Sequence, residues 1–202
     1  DFARLGQRSG RRPCGKSSCR LIPNEQDFPA SASAFETKRN AAVLVVLVER
    51  EHGLNVVLTR RAAHLKHHAG QISFPGGKHE NTDIDLQYTA LRETQEEIGL
   101  NLTSSNIVGA IGNYSTISGF SVTPYIAITD NIPPLQIDKN EVEYAFEVPL
   151  AHCLAPQNLL SHTVTRLEQT YQVYFIPWEN TYIWGATAGI LKNLSNHILG
   201  HG

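Results

Sequence analysis

The amino-acid sequence predicts an α/β fold, a sandwich in which a β-sheet packs against helices, and three observations support this prediction. A continuous apolar run at Ala41–Glu49 has the length of a buried strand. Helical patterns occur in mid-chain, over residues 83–98, and near the end, over Tyr182–Leu199. Strand-like runs lie between these two patterns, and this mixture is typical of an α/β sandwich.

The strands are predicted from runs of apolar and β-branched residues bounded by charged or turn residues. The first strand, Ala41–Glu49, is followed by a turn at His52–Gly53 and a second strand at Asn55–Thr59, so we expect a hairpin. A loop is expected over residues 60–77. Four further strands are expected later in the chain: Ile107–Ala110, Val122–Thr129, Glu143–Val148 and Thr170–Ile176.

The mid-chain helix is predicted to begin at Asp83 and to end at Ile98. Asp83 is a good N-cap residue, and Gly99 follows the last turn, where a residue free to adopt positive φ is favoured. Side chains placed at about 100° per residue gather four apolar groups into one stripe, which is expected to face the core: Ile84, Tyr88, Leu91 and Ile98.

Length and charge indicate one globular domain with a basic extension. The chain has 202 residues, of which 41% are apolar, and no apolar run approaches the roughly 18 residues of a membrane span. Residues 1–20 hold six basic groups and one acid, whereas the remainder holds 11 basic against 18 acidic groups. We therefore predict a basic tail over residues 1–39 and the folded domain over residues 40–202. Because that domain is acidic, we expect no nucleic-acid partner, and it is compatible with a site for divalent cations.

Cysteine usage indicates a reducing compartment, and we predict a cytoplasmic location. The three cysteines cannot all pair, and two of them lie in the basic tail: Cys14, Cys19 and Cys153. Residues 1–20 lack the apolar segment of a secretory signal, although an arginine- and serine-rich, acid-poor start is also a feature of transit peptides.

One nucleotide-binding pattern is rejected. Residues 10–17, GRRPCGKS, match the P-loop pattern G-x-x-x-x-G-K-[ST]. That loop binds phosphate only when a buried strand leads into it and a helix leads out. The preceding residues are mostly polar and Pro23 follows closely, so we interpret the match as part of the basic tail.

Three glutamates near the end of the mid-chain helix are candidate metal ligands: Glu93, Glu96 and Glu97. They share an arc of about 100° opposite the apolar stripe. Glu93 and Glu97 carry like charges four residues apart, which destabilises a helix unless a cation compensates, and Mg²⁺ and Mn²⁺ prefer carboxylate oxygens. The alternative is a solvated acidic face with an Arg92 salt bridge. Gly76 and Gly77 favour the metal site, because glycines let the backbone approach a ligand closely.

Residues 77–100 resemble the Nudix box, G-x5-E-x7-R-E-U-x-E-E-x-G-U, in which U is aliphatic. The first half differs, because Asp83 replaces the glutamate and eight residues, not seven, separate it from Arg92. Thr94 occupies the first aliphatic position. The second half matches at six positions: Arg92, Glu93, Glu96, Glu97, Gly99 and Leu100.

A second resemblance covers residues 58–77, LTRRAAHLKHHAGQISFPGG. They are similar to L-T-x-R-[SA]-x3-R-x3-G-x3-F-P-G-G, a signature of the coenzyme A diphosphatase branch of Nudix hydrolases. Lys66 stands where the pattern has arginine, which keeps the positive charge and loses the bidentate fork. The one-residue longer box is usual in that branch, and residues 182–190 are similar to its closing helix.

The resemblance implies a Nudix-type α/β/α sandwich with a mixed β-sheet. It implies metal-dependent hydrolysis of coenzyme A or its thioesters to 3′,5′-ADP and (acyl-)4′-phosphopantetheine, with Mg²⁺ or Mn²⁺ as cofactor. The expected metal ligands are Glu93, Glu96, Glu97 and Gly77, with Arg92 orienting the glutamates. The expected substrate contacts are Arg61, Lys66, Gly70, Phe74 and Gly76.

Several alternatives remain open from sequence. The general base is a glutamate of the box, Glu141 or Glu143. The substrate is coenzyme A, or else ADP-ribose, NAD(H) or a dinucleoside polyphosphate, and the chain is an enzyme or an inactive binding module of the same fold. The oligomeric state is open.

Tyr182 and Trp184 are expected to pack in the core rather than to stack on a ligand. Three histidines either contact phosphate or are solvated: His64, His67 and His68.

Overall fold

A computed structural model of the chain describes residues 38–65, 68–166 and 169–200. The predicted tail up to residue 37, with its P-loop-like match and Cys14 and Cys19, lies outside the described residues. The same is true of Lys66 and His67.

The described strands form two sheets. The strands of the main sheet are β1 Arg39–Arg50, β2 Gly53–Arg61, β3 Ile72–Ser73, β4 Gly76–Lys78, β5 Ile107–Ala110, β6 Tyr114–Ser115, β7 Phe120–Thr129 and β8 Val142–Pro149. The strands of the smaller, antiparallel sheet are β9 Leu160–Arg166, β10 Gln169–Trp178 and β11 Thr181–Trp184, in the order β11-β10-β9. The central strand, β1, runs parallel to β7 and antiparallel to β2 and β4, which confirms the predicted mixed β-sheet.

Three α-helices cover the main sheet: α1 Leu86–Ile98, α2 Leu150–Leu154 and α3 Ala186–Leu199. The apolar run predicted to be a strand is β1, and its two faces pack in two separate cores. Val45 and Leu47 face a core shared with α2, α3 and the smaller sheet. Leu44, Val46 and Val48 face a second core shared with α1. This alternation explains why β1 is apolar at almost every position, and it confirms the predicted α/β sandwich.

The mid-chain helix begins later than predicted. Its N-cap is Asp85, whose Oδ1 accepts the Tyr88 N–H at 2.7 Å, so the prediction of Asp83 as the cap is wrong. The predicted apolar stripe is also wrong at its first two positions, since Ile84 is 84% exposed and Tyr88 is 43% exposed. The buried face of α1 is formed by small and polar side chains instead: Thr89, Ala90, Thr94, Glu97 and Ile98.

The C-terminal helix is shorter than predicted. Residues 181–184 form strand β11, and Gly185, at φ 66°, turns the chain into α3 at Ala186. Tyr182 and Trp184 are half-buried rather than buried, so the prediction that both pack in the core holds only in part. The strand β9 and the helix α2 were not predicted. In the described ranges, no helix is both long and apolar enough to cross a membrane.

Gly99 closes α1 in the left-handed conformation that the sequence predicts for it. Its φ is 69°, and its N–H donates to the Gln95 carbonyl. A Cβ at this position would lie 2.7 Å from the Cβ of Gln136, whose N–H donates to the Ile98 carbonyl at 3.0 Å. Both the conformation and the contact therefore require glycine.

We expect Gly99→Ala to lower the free energy of unfolding by about 1–2 kcal/mol, the cost of placing a side chain in the left-handed region. Urea unfolding monitored by circular dichroism measures this change. The matched control is Gly109→Ala, because a Cβ at Gly109 meets no atom within 4 Å and its φ is not positive. Equal effects of the two substitutions would contradict the assignment.

Candidate active site

The glycine strand β4 lies directly between β1 and the end of α1. Gly76 pairs with Val43 and Gly77 pairs with Ala42 in an antiparallel register. Gly76 has φ 149°, and a Cβ there would overlap the carbonyl oxygen of Ala42. Only glycine permits this close approach of β4 to β1.

Glu97 is a charged residue on the buried face of α1. It is 3% exposed, and its Oε2 faces the backbone N–H of Gly76 at 3.4 Å. Nη1 of Arg61 lies 3.9 Å from its Oε1. Burial raises the pKa of Glu97 to about 8, with contributions from Glu93 and Glu141, while Arg61 and the Gly76 N–H oppose the rise. The positive charge that the described residues place around this carboxylate therefore does not offset the cost of burying it.

Glu93 lies one helical turn before Glu97 and packs on Gly77. A Cβ at Gly77 would stand 2.5 Å from both Cδ and Oε1 of Glu93, so the missing side chain provides the space for the carboxylate. Burial raises the pKa of Glu93, and Arg92 lowers it in part. Two partly uncompensated carboxylates consequently lie side by side against a glycine backbone.

Arg92 holds this arrangement from the outer side of α1. Its Nε and Nη2 donate to both oxygens of Asp83 at 2.8 and 3.0 Å. Nη2 also lies 3.1 Å from Oε1 of Glu93, and Nη1 donates to Oε2 of Glu96 at 2.8 Å. Hydrogen bonds from Arg92 hold the pKa of buried Asp83 well below its usual range. The arginine is thus anchored at one end by Asp83 and presents its remaining N–H groups to two glutamates.

The structure brings Glu93 and Glu97 together but leaves Glu96 outside this pair. The Glu96 side chain is 59% exposed and binds Arg92 at the surface. Within the described parts of the chain, no three His, Cys, Asp or Glu side chains lie close enough together to hold a metal ion. The predicted three-carboxylate arc is therefore a close pair with a third carboxylate at its edge.

The pair nevertheless fits a hard divalent cation. Carboxylate oxygens are the ligands that Mg²⁺ and Mn²⁺ prefer, and the Gly77 backbone adjoins them. The raised pKa values of both glutamates indicate missing positive charge, which a cation would supply. The residues that could hold a metal are thus Glu93 and Glu97 first, with the Gly77 carbonyl and Glu96 next to them.

The predicted substrate loop closes back on itself beside the glutamates. The N–H of Arg61 donates to the Gln71 carbonyl at 2.9 Å, and the N–H of Gly70 donates to the Arg61 carbonyl at 3.1 Å. This pairing holds Arg61 at Glu97. The Nε of Arg61 is buried and has no hydrogen-bond partner within the described residues. Gly70 lies against the guanidinium of Arg60 rather than that of Arg61.

Phe74 and Gly76, two residues predicted to contact substrate, both have contacts within the protein. Phe74 is 2% exposed and packs in the core with α3, and its predicted substrate contact stays a prediction. The N–H of Gly76 faces Glu97, which makes Gly76 a support for the carboxylate.

Sequence reasoning missed Asp83 as the anchor of Arg92. The signal was its place at the glutamate position of the box, separated from Gly77 by five residues.

The two candidate general bases differ in their surroundings. The negative charge of Glu141 helps to raise the pKa of both Glu93 and Glu97. Its carbonyl accepts the N–H of Ala62, at the start of the substrate loop. Glu143 instead forms an ion pair with Arg60 at 3.3 Å. These contacts favour Glu141 over Glu143.

Comparison with known proteins identifies the family to which the chain belongs. Residues 38–168 match the family model of the NUDIX domain. An uncharacterized Nudix hydrolase named NudL, from Salmonella newport and from Salmonella agona, is 37% identical over 161 residues, covering 80% of this chain and 83% of the relative.

Solved structures show the same fold. A MutT/nudix family protein from Enterococcus faecalis superposes with a TM-score of 0.57 at 18% identity, covering 84% of this chain and 65% of that one. The NUDIX domain of Shewanella oneidensis NrtR, complexed with ADP ribose, superposes with a TM-score of 0.54 at 18% identity, covering 87% of this chain and 99% of that one. The chain therefore belongs to the Nudix hydrolase family and is a diphosphatase that acts on a nucleoside diphosphate derivative.

Proposed function

We propose that the chain hydrolyses the diphosphate bond of coenzyme A or its thioesters, giving 3′,5′-ADP and (acyl-)4′-phosphopantetheine. One observation supports the proposal above all: residues 58–77, which resemble the coenzyme A signature, lie next to the glutamate pair. Residues 58–77 begin in β2, place Arg61 at 3.9 Å from Glu97, and end in the two glycines that seat both carboxylates. Residues that resemble the signature of the coenzyme A branch thus adjoin the residues expected to perform the chemistry.

The proposed cofactor is Mg²⁺ or Mn²⁺, held by Glu93 and Glu97 with the Gly77 carbonyl, and with Glu96 acting directly or through water. A bound cation of this kind neutralises phosphate charge and lowers the pKa of a water molecule. Arg92, anchored on Asp83, keeps the Glu93 carboxylate oriented. Arg61 is placed to donate to a phosphate oxygen, because its buried Nε has no hydrogen-bond partner within the described residues.

Glu141 is the proposed general base. It takes a proton from the attacking water, whose oxygen bonds to one phosphorus of the diphosphate. The bridging P–O bond then breaks, and the bridging oxygen leaves on the other phosphate. Catalysis of this kind depends mainly on positioning and on electrostatic stabilisation of the phosphoryl oxygens. Arg61 and Arg92 supply the fixed positive charges that the described residues place around this reaction.

We expect Glu93→Gln to lower the release of 3′,5′-ADP from coenzyme A at least about 100-fold, because the amide removes a metal ligand. The products are measured by chromatography with saturating Mg²⁺ or Mn²⁺. Glu51→Gln is the matched control, since Glu51 is exposed in the turn between β1 and β2.

The same assay distinguishes the alternatives for substrate. A higher kcat/KM of the wild type for ADP-ribose, NAD(H) or a dinucleoside polyphosphate would refute the coenzyme A assignment. A wild type without turnover on any of these compounds would identify a binding module.

Gly77→Ala tests the packing of the glutamate pair without altering any carboxylate. The added methyl group would overlap the Glu93 carboxylate, so we expect kcat to fall about 100-fold through misplacement of that group. Gly112→Ala is the control, because a Cβ there meets no atom within 4 Å. Unchanged circular dichroism would show that both variants fold. Wild-type activity of Gly77→Ala would refute the proposed seat for Glu93.

The pKa of Glu97 gives a prediction for the metal-free protein. The folded-state pKa of about 8 lies above the ordinary value of 4.5, so the folded protein binds more protons than the unfolded chain between these values. Its stability therefore falls as pH rises through this range. Because glutamine cannot ionise, we expect Glu97→Gln to raise Tm in EDTA at about pH 8 and to change it little at about pH 4.

With added Mg²⁺ or Mn²⁺, we expect the wild type to have a higher Tm than Glu97→Gln at about pH 8. The cation binds the folded wild type and raises its Tm by mass action, whereas the variant gains less. Differential scanning fluorimetry measures both series. Parallel pH profiles of wild type and variant would contradict the assigned burial of an ionisable Glu97.

A further inference from the structure

A cleft of about 250 Å³ opens between the loop that follows β6, the hairpin of β10 and β11, and the start of α3. Three aromatic side chains contribute to its walls, together with hydroxyl and amide groups. The six that matter here are Tyr114, Tyr171, Trp184, Gln71, Ser115 and Thr116. The volume suits one part of a nucleotide rather than a whole coenzyme A molecule, because pockets for drug-sized ligands occupy roughly 300–1,000 Å³.

Two of the aromatic rings are fixed by packing. Trp184 lies nearly parallel to Phe175, with ring centroids 6.5 Å apart and an interplanar angle of 19°. Tyr114 lies against Gly189 of α3, at a position where a Cβ would overlap its ring. Rings held in this way offer a preformed surface to a planar ligand, and little side-chain entropy is lost when it binds.

The chemistry of the cleft favours a neutral, planar group. Of the described residues that line it, none is Asp, Glu, Lys or Arg, and the Lys38 ammonium, which adjoins the wall, donates to the Ser115 hydroxyl at 2.7 Å. The Ser115 hydroxyl keeps its own hydrogen, and the Gln71 amide keeps its NH₂ group, so both can donate to the edge of a heterocycle. Aromatic side chains bind bases through stacking because every base presents a π-face.

One loop borders both this cleft and the glutamate pair. His68 and Gln71 line the cleft, and the Nδ1 of His68 is 2.9 Å from the Oε1 of Gln71. The carbonyl of Gln71 accepts the N–H of Arg61, whose guanidinium lies at Glu97. At its other side, the cleft reaches the first residues of α3, where the Thr187 hydroxyl donates to the Ile72 carbonyl. A substrate bound at Arg61 can thus extend along this loop to the aromatic walls.

We propose that this cleft binds the purine base of the substrate, stacked on Trp184, an assignment that rests on the proposed function for the identity of the purine nucleotide. The reactive diphosphate then lies at Arg61 and the glutamates, and the pantetheine arm extends away from the cleft. The cleft selects a class of substrate by its base, separately from the groups that hydrolyse the diphosphate.

The binding test uses the fact that the chain has two tryptophans. The ring centroids of Trp178 and His152 are 5.1 Å apart, and Trp178 does not line the cleft. Trp178→Phe therefore leaves Trp184 as the single indole reporter. In EDTA, we expect AMP to quench its emission saturably and 4′-phosphopantetheine to leave it unchanged. The matched Trp184→Phe variant, which keeps Trp178, should show no quenching by AMP.

Quenching by 4′-phosphopantetheine without quenching by AMP would overturn the proposal, and so would the absence of quenching by both. Because this titration needs no turnover, it can succeed in a protein that fails to hydrolyse coenzyme A. The two proposals can therefore fail independently.

A second test measures kcat and KM with a purine nucleotide that the enzyme hydrolyses. We expect Trp184→Ala to raise KM about tenfold and to leave kcat within about twofold, the pattern of a lost binding contact that is equal in ground and transition states. Trp184→Phe, which retains an aromatic face, should restore most of the affinity. A loss confined to kcat, or an equal loss in both variants, would assign Trp184 a structural role and overturn the proposal.

Discussion

The structure depends on the burial of two carboxylates against two glycines. Glu97 and Glu93 project from the side of α1 that faces β4, where a purely structural helix would place apolar side chains. Gly77 leaves the space for the Glu93 carboxylate, and Gly76 allows β4 to lie against the backbone of β1 with its N–H towards Glu97. The helix is seated close to the sheet by this contact, and the direction of the glutamates follows from it.

Such a site conflicts with the stability of the fold around it. Burial raises the pKa of both glutamates, and a single arginine lies near Glu97 at 3.9 Å, beyond normal hydrogen-bond length. Arg92 is instead firmly paired with Asp83 and is shared among carboxylates. The negative charge that remains uncompensated is available to a cation. Functional sites commonly retain this kind of destabilisation, since replacing it with apolar packing would remove the chemistry.

The chemistry and the proposed recognition of the base come from different parts of the chain. The match to the NUDIX domain covers residues 38–168, which contain the glutamates, the glycines and Arg61. Tyr171 and Trp184, two walls of the cleft, lie beyond that segment, in the smaller sheet. The Arg61–Gln71 loop connects the two parts through its backbone hydrogen bonds. A conserved type of hydrolytic centre can in this way be combined with a separate surface for the nucleotide, which is how one fold serves many substrates.

The sequence by itself determined the local features: the central strand, the helix that carries the glutamates, Gly99 at its end, and the pairing of a glycine turn with an acidic helix. Each depends on neighbours within a few residues, so propensity and spacing are sufficient. Tertiary structure alone decided which side of α1 is buried, because periodicity groups side chains without showing which group faces the sheet. The predicted apolar stripe was therefore wrong at Ile84 and Tyr88, and Glu97 is buried although it is an acidic residue. The partner of Arg92, the burial of Phe74 and the cleft beside Trp184 likewise depend on contacts between residues distant in sequence, which only the packed fold brings together.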